Sequence, residues 1–285
     1  MRLINPDAIH QTVISAINYI TYHPDPELTP ILERALQNED QEIPRDVIRT
    51  ILDNHRLSPE IRIPLCQDTG TTVVFAELGC AVQLEEPLEI SISRAVAAAQ
   101  RALPLRASMV SDPLFSRTNT LDNSPAIVHL KIVEGDRLKL IIGQKGGGAE
   151  NMSFLRMFNP TVGMDELIDY IAQAVVAAGS RPCPPLILGI GIGGNFETAP
   201  LLAKRALFEP LGRAHPNPKY QDVERRILEK VNAEGCGVQG FGGKNTVLAV
   251  HILEAPCHIA SLPLAVNVEC HAHRHIELEV SRETD

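Results

Sequence analysis

The stretch Ile63-Pro-Leu-Cys66-Gln67-Asp68-Thr69-Gly70 sets a thiol, an amide, a carboxylate and a hydroxyl on consecutive residues between a proline and a glycine. A hydrophobic core needs none of these groups. Two further cysteines stand in equally unusual settings, Cys183 in Arg-Pro-Cys-Pro-Pro and Cys270 in Glu-Cys-His-Ala-His-Arg-His, each beside an apolar run that reads as a strand. Three such thiols could close around one metal centre, and on residue type alone a nucleophile or a structural thiol stays equally open. Zinc is less well served, because no C-x-x-C pair is present and histidines at alternate positions of a strand point to opposite faces. Cys80, Cys236 and Cys257 are expected to be packed or inert thiols.

Other stretches carry polar groups or bare backbone. Lys145-Gly-Gly-Gly148 offers amides and a cation to an anionic ligand, or else serves a tight bend. Gly189-Ile-Gly191-Ile-Gly193-Gly194 fits the dinucleotide spacing G-x-G-x-x-G. That reading is rejected because Pro210, Gly212, Pro216 and Pro218 follow the next helix where a strand should complete the unit. Between Arg106 and Pro125 lies a long segment dense in Ser, Thr, Asn and Asp, which reads either as an Ω-loop held by Asx turns or as part of a site.

These groups must be positioned by a chain of 285 residues with 44% hydrophobic content, enough for one large domain or two smaller ones. A formal charge of −9 argues against nucleic acid or an anionic membrane as partner. No apolar run approaches the roughly 20 residues of a spanning helix, so no membrane association is expected and the cytoplasm is the predicted compartment. Six scattered cysteines do not suggest a disulfide framework.

Asn5-Pro6, Asp25-Pro26 and Pro44 each introduce an apolar helical face, so the first 60 residues read as a three-helix leader. Strands are predicted at Thr71–Leu78, Ala126–Val133, Arg137–Ile142, Leu186 onward, Thr246–Leu253, Leu262–Val268 and Ile276–Val280, the second and third joined as a hairpin across Glu134-Gly135-Asp136. Helices are predicted at about 90–102, 164–178, 197–207 and 220–231. The fold class is mixed α/β: a helical N-terminal leader, residues 1–60, then an α/β body with mixed sheets, residues 61–285, or one continuous domain.

Taken together, Pro-Leu-Cys66-Gln67-Asp68-Thr69-Gly70, Leu-Arg106-Ala-Ser, Arg117-Thr-Asn-Thr-Leu-Asp122-Asn-Ser-Pro, Lys145-Gly-Gly-Gly-Ala-Glu-Asn151, Pro-Cys183-Pro-Pro, Leu-Ala-Lys204, Gly242-Gly-Lys-Asn-Thr246, His258-Ile-Ala-Ser-Leu-Pro and Cys270-His-Ala-His-Arg274 resemble the class I, iron–sulfur fumarate hydratase family. The family also includes L(+)-tartrate dehydratase. The likeness runs in order from about residue 60 to 275 and corresponds to the α subunit of the two-subunit form.

The resemblance implies a [4Fe–4S] cluster held by Cys66, Cys183 and Cys270, with one iron lacking a protein ligand and free to act as a Lewis acid. It makes Asp68 the proton donor to the departing hydroxyl. Gln67, Arg106, the Gly147–Gly148 backbone and His258 become substrate-binding groups, Arg106 suiting a carboxylate through its forked donors. Ala149 stands where serine is common in the family. The base that takes the proton from carbon is implied to lie on a separate β subunit, in an α2β2 assembly acting on a small dicarboxylate. Fumarate and L-malate are the expected pair and L(+)-tartrate the alternative; a non-catalytic cluster-binding subunit is a further alternative, against which Asp68, Arg106 and His258 speak.

Overall fold

A computed structural model describes residues 2–280. Among the described residues the elements are, in order, β1 Arg2–Ile4, α1 Pro6–Tyr22, α2 Leu28–Asn38, α3 Glu42–Ile61, β2 Thr71–Gly79, β3 Val82–Leu84, α4 Leu88–Ala102, β4 Ile127–Val133, β5 Leu138–Lys145, α5 Gly147–Glu150, β6 Phe154–Phe158, α6 Met164–Ala178, β7 Leu186–Gly193, α7 Thr198–Ala206, α8 Pro218–Glu234, β8 Val247–Ala255, β9 Leu262–Glu269 and β10 Arg274–Glu279. This is the expected mixed α/β class. The chain forms two compact units, the first from the segments up to Asp25, His55–Gly147 and Arg274 onward, the second from Pro26–Asn54 and Gly148–His273.

In the first unit, Asn5 caps α1 by accepting from the Ala8 amide at 2.8 Å, and Pro6 opens the helix where no amide is needed. The buried face Ile9, Val13, Ile17 and Ile20 meets Ile92, Ala95 and Ala99 of α4 over Val74, Ala76, Leu138, Leu140 and Ile142 of the sheet. The sheet order is β10-β5-β2-β4. The predicted hairpin of β4 and β5 is therefore absent: β2 lies between them, parallel to β4 and antiparallel to β5. The turn joining β4 to β5 crosses the end of β2, where the Gly79, Cys80 and Ala81 amides donate to Arg137, Val133 and Gly135 carbonyls at 2.8–2.9 Å. A strand with Val73, Val74 and Ala76 all buried belongs in mid-sheet, whereas β4 leaves Ile127, Leu130 and Ile132 exposed at the edge.

The second unit holds a sheet of order β6-β9-β7-β8. On one face α6 and α8 bury Ile168, Ile171, Val175, Val223, Ile227 and Val231 against Leu188, Ile190, Val250, Val266 and Val268. On the other, Leu28, Leu32, Ile48 and Ile51 of α2 and α3 pack with Ile187, Leu207 and Ala249. The three N-terminal helices are present; α1 belongs to the core of the first unit and α2 to that of the second. Amphipathic periodicity marks a buried face without naming what covers it.

β7 and β8 are parallel neighbours, so the helical segment between them does complete a crossover, through both α7 and α8. A strand does therefore follow, β8, where the sequence leads one to expect none. The glycines have a packing role. A Cβ on Gly189 or Gly191 would lie 2.1 Å from the Ala203 or Ala199 carbonyl oxygen, so bare backbone lets α7 lie directly on β7.

Candidate active site

Three stretches of the first unit meet at one end of its sheet. The register pairs Thr71 with Lys145 and Arg274 with Gln144, which brings the loop before β2, the exit of β5 and the entry of β10 together. Gly70 has φ +71°, and a Cβ there would sit 2.0 Å from the Lys145 carbonyl oxygen, so only glycine admits the loop this close to β5.

Asp68 is the centre of this meeting point. Its Oδ2 accepts from the Gly147 amide at 2.9 Å, and its Oδ1 from Arg106 Nη2 at 2.8 Å, the Gly70 amide at 3.1 Å and Ser108 Oγ at 3.4 Å. Its backbone carbonyl accepts from Arg274 Nη2 at 2.7 Å. The anion-binding character expected of Lys145-Gly-Gly-Gly148 is thus met within the chain, where one glycine amide engages the Asp68 carboxylate. Arg106 remains half exposed, with 53% of its side chain open to solvent against 23% for Asp68, so its fork also reaches water.

Sequence reasoning missed the residues that aim Arg106. Its amide donates to Thr69 Oγ1 at 2.9 Å, and its carbonyl accepts from Asn123 Nδ2 at 2.9 Å. Asn123, buried and at φ +53°, also takes the Ser108 amide at 2.6 Å and donates to Gln100 Oε1 on α4 at 2.8 Å. The density of polar residues between 106 and 124 was the available signal. The loop divides: its two roots, Arg106–Ser108 and Asn123, join the Asp68 site, while its tip is the self-contained Asx structure of the simpler reading. Asp112 accepts the Leu114, Phe115 and Ser116 amides at 2.8–3.1 Å, which holds its carboxyl down at about 2.

Gln67 and Cys66 lie on the same loop as Asp68, Gln67 exposed and Cys66 half-buried. The remaining predicted residues belong to the second unit. Cys183, at φ +58°, precedes β7, and Cys270 follows β9 directly. The antiparallel register sets Ile187 opposite Glu269, so these two cysteines leave the same end of paired strands. His258 is exposed on the loop after β8, its Nδ1 accepting the Ala260 amide at 3.1 Å; Gly148 is exposed at the start of α5. Of the cysteines expected to be packed or inert, Cys80 and Cys257 are exposed.

The profile of the family described as Fumarate hydratase (Fumerase) matches residues 10–279. The chain belongs to this family. It is 38% identical over 250 residues to the putative L(+)-tartrate dehydratase subunit alpha of Methanocaldococcus jannaschii, covering 85% of this chain and 87% of that one. It is 31% identical over 232 residues to the L(+)-tartrate dehydratase subunit alpha of Escherichia coli K12, covering 80% and 76%. These relationships make this Fumerase-family chain a hydro-lyase. The donor set suits a family of iron–sulfur hydro-lyases: Cys66, Cys183 and Cys270 stand near the ends of strands, and none is committed to a disulfide.

Proposed function

We propose that this hydro-lyase is an α subunit that adds water to fumarate to give L-malate, and reverses that reaction, with Asp68 as its acid. The observation that supports this reading most is the convergence on Asp68 of the Gly147 amide and Arg106, which fix the orientation of the carboxylate that exchanges the proton. In the dehydration direction Asp68 gives a proton to the departing hydroxyl, and in hydration it takes one from the attacking water. Arg106, half exposed and bonded to Asp68 through Nη2, offers its remaining donors to the substrate carboxylate, and the Gly147–Gly148 backbone lines its approach. Gln67 and His258 complete the binding set.

Cys66, Cys183 and Cys270 would hold a [4Fe–4S] cluster with one iron lacking a protein ligand, which supplies Lewis acidity when bound. The relatives' designation as subunit alpha supports a β partner; in this reading that partner abstracts the proton from carbon, and the two subunits form an α2β2 assembly. Six cysteines with no disulfide among them fit the cytoplasm. Among the described residues no helix is long and apolar enough to cross a membrane.

A second reading, L(+)-tartrate dehydration, is favoured by the relatives' names. Tartrate differs from malate by one hydroxyl, which a pocket can discriminate strongly when it must hydrogen-bond that group. The deciding experiment is turnover of L-malate and L(+)-tartrate by the α–β pair purified without oxygen, with Asp68→Asn alongside. Malate turnover that falls by about 10²- to 10⁴-fold in the variant is expected. Preference for tartrate establishes the second reading, and an active Asp68→Asn enzyme removes Asp68 from the chemistry.

A further inference from the structure

We infer that Arg274 is a positioning residue for Asp68; this rests on the reading of Asp68 as the acid. Arg274 opens β10, next in the sheet to the strand whose exit carries Gly146 and Gly147. It is 5% exposed and donates from Nη2 to the Asp68 backbone carbonyl at 2.7 Å. A Cβ built on Gly146 would lie 3.4 Å from Asp68 Oδ2 and 4.0 Å from Arg274 Nη2, so the guanidinium and the carboxylate flank the same glycine.

The chemistry of this contact is uneconomical for a purely structural role. A carbonyl oxygen needs only a neutral donor, yet the group supplied is a buried cation. Its Nε is buried without a hydrogen-bond partner, and among the described residues no carboxylate pairs with it. An unpaired charge taken out of water weakens a fold, and an apolar side chain of similar length would be tolerated better. What the guanidinium does provide is a rigid planar donor on the peptide that carries Asp68. With that peptide fixed, the side chain presents Oδ2 to Gly147 and Oδ1 to Arg106; if it rotates, both contacts are lost together.

The test replaces Arg274 by Met and by Lys in the assembled α–β enzyme. In Arg274→Met the melting temperature should stay level or rise, while the Gly147 and Gly70 amides, which donate to Asp68, exchange with solvent at least about tenfold faster. For the reaction, kcat should fall about 10- to 100-fold with KM within about threefold, the pattern of a misplaced catalytic group. Arg274→Lys keeps a cationic donor and should restore kcat to within about tenfold of the parent and slow the two amides again.

An unchanged kcat, or unchanged exchange at Gly147 and Gly70, overturns the inference. So does lost activity accompanied by a lower melting temperature and faster exchange throughout the sheet, which is the mark of a structural residue. The exchange arm reads the Arg274–Asp68 link without any turnover. An enzyme inactive on both hydroxy acids would therefore reject the proposed function while leaving that link measurable.

Discussion

Gly146–Gly148 and Gly189–Gly194 are alike in composition, and each belongs to a buried strand or its exit, yet they accommodate different things. Beside the first, the nearest heavy atom to a Cβ on Gly146 or Gly147 is Asp68 Oδ2, at 3.4 and 3.8 Å. Beside the second, a Cβ on Gly189 or Gly191 would strike helix backbone at 2.1 Å. One stretch leaves room and a free amide for a carboxylate; the other leaves room for α7. The first therefore holds a carboxylate and the second makes room for a helix, a distinction that residue identity does not carry.

Substitutions at these glycines should separate the two roles. The largest effect is expected from Gly191→Ala. Its new methyl group meets the Ala199 carbonyl at 2.1 Å and the Ala203 amide at 2.7 Å, so α7 must move off the sheet. A loss of about 3 kcal/mol in chemical denaturation is expected, and wild-type stability would show that α7 does not depend on the glycine.

Gly147→Pro should do the reverse. Proline is accommodated at the first position of a helix, and Gly147 opens α5, but the substitution removes the amide that donates to Asp68. Stability should stay within about 1 kcal/mol, while kcat of the α–β enzyme falls at least about tenfold, because the proline ring takes the place of the amide hydrogen and turns the half-buried Asp68 carboxylate away. Unfolding rather than slowed turnover would assign this stretch to packing as well.

Gly148→Ala should be the mildest. Its Cβ meets only the Arg181 carbonyl, at 3.4 Å, and its own amide is retained. Stability within about 1 kcal/mol of the parent is expected, because the helix gain of alanine offsets the tight contact. A larger change measured by thermal unfolding would extend the packing role into the first stretch.

The strands and helices were largely legible because periodicity is a local property. The helix predicted at 164–178 matches α6, and the apolar runs after Cys183 and before Cys270 are strands. The error at β4 and β5 has a non-local cause: a three-residue turn signals a hairpin, but nothing near it reveals that β2, fifty residues earlier, occupies the space between. The strand that pairs with β7 is hidden for a similar reason, since β8 comes only after a second helix.

For the site, Asp68, Arg106 and the triple glycine could be named from residue types and family resemblance. That Arg106 and Gly147 both engage Asp68 could not, because the contacts span 38 and 79 residues. Nor could the relay through Gln100, Asn123 and Thr69, whose side chains look like any polar loop until the sheet end gathers them.

What the sequence by itself determined is the inventory: helices and strands set by local periodicity, the cysteines, and membership of a hydro-lyase family carried by ordered motifs. Only the tertiary structure decided which strand lies in mid-sheet, which glycines serve a helix and which a carboxylate, and which buried cation holds Asp68. Those outcomes depend on non-local register and on what fills the space beside each backbone atom, and neither is a property of any single stretch of chain.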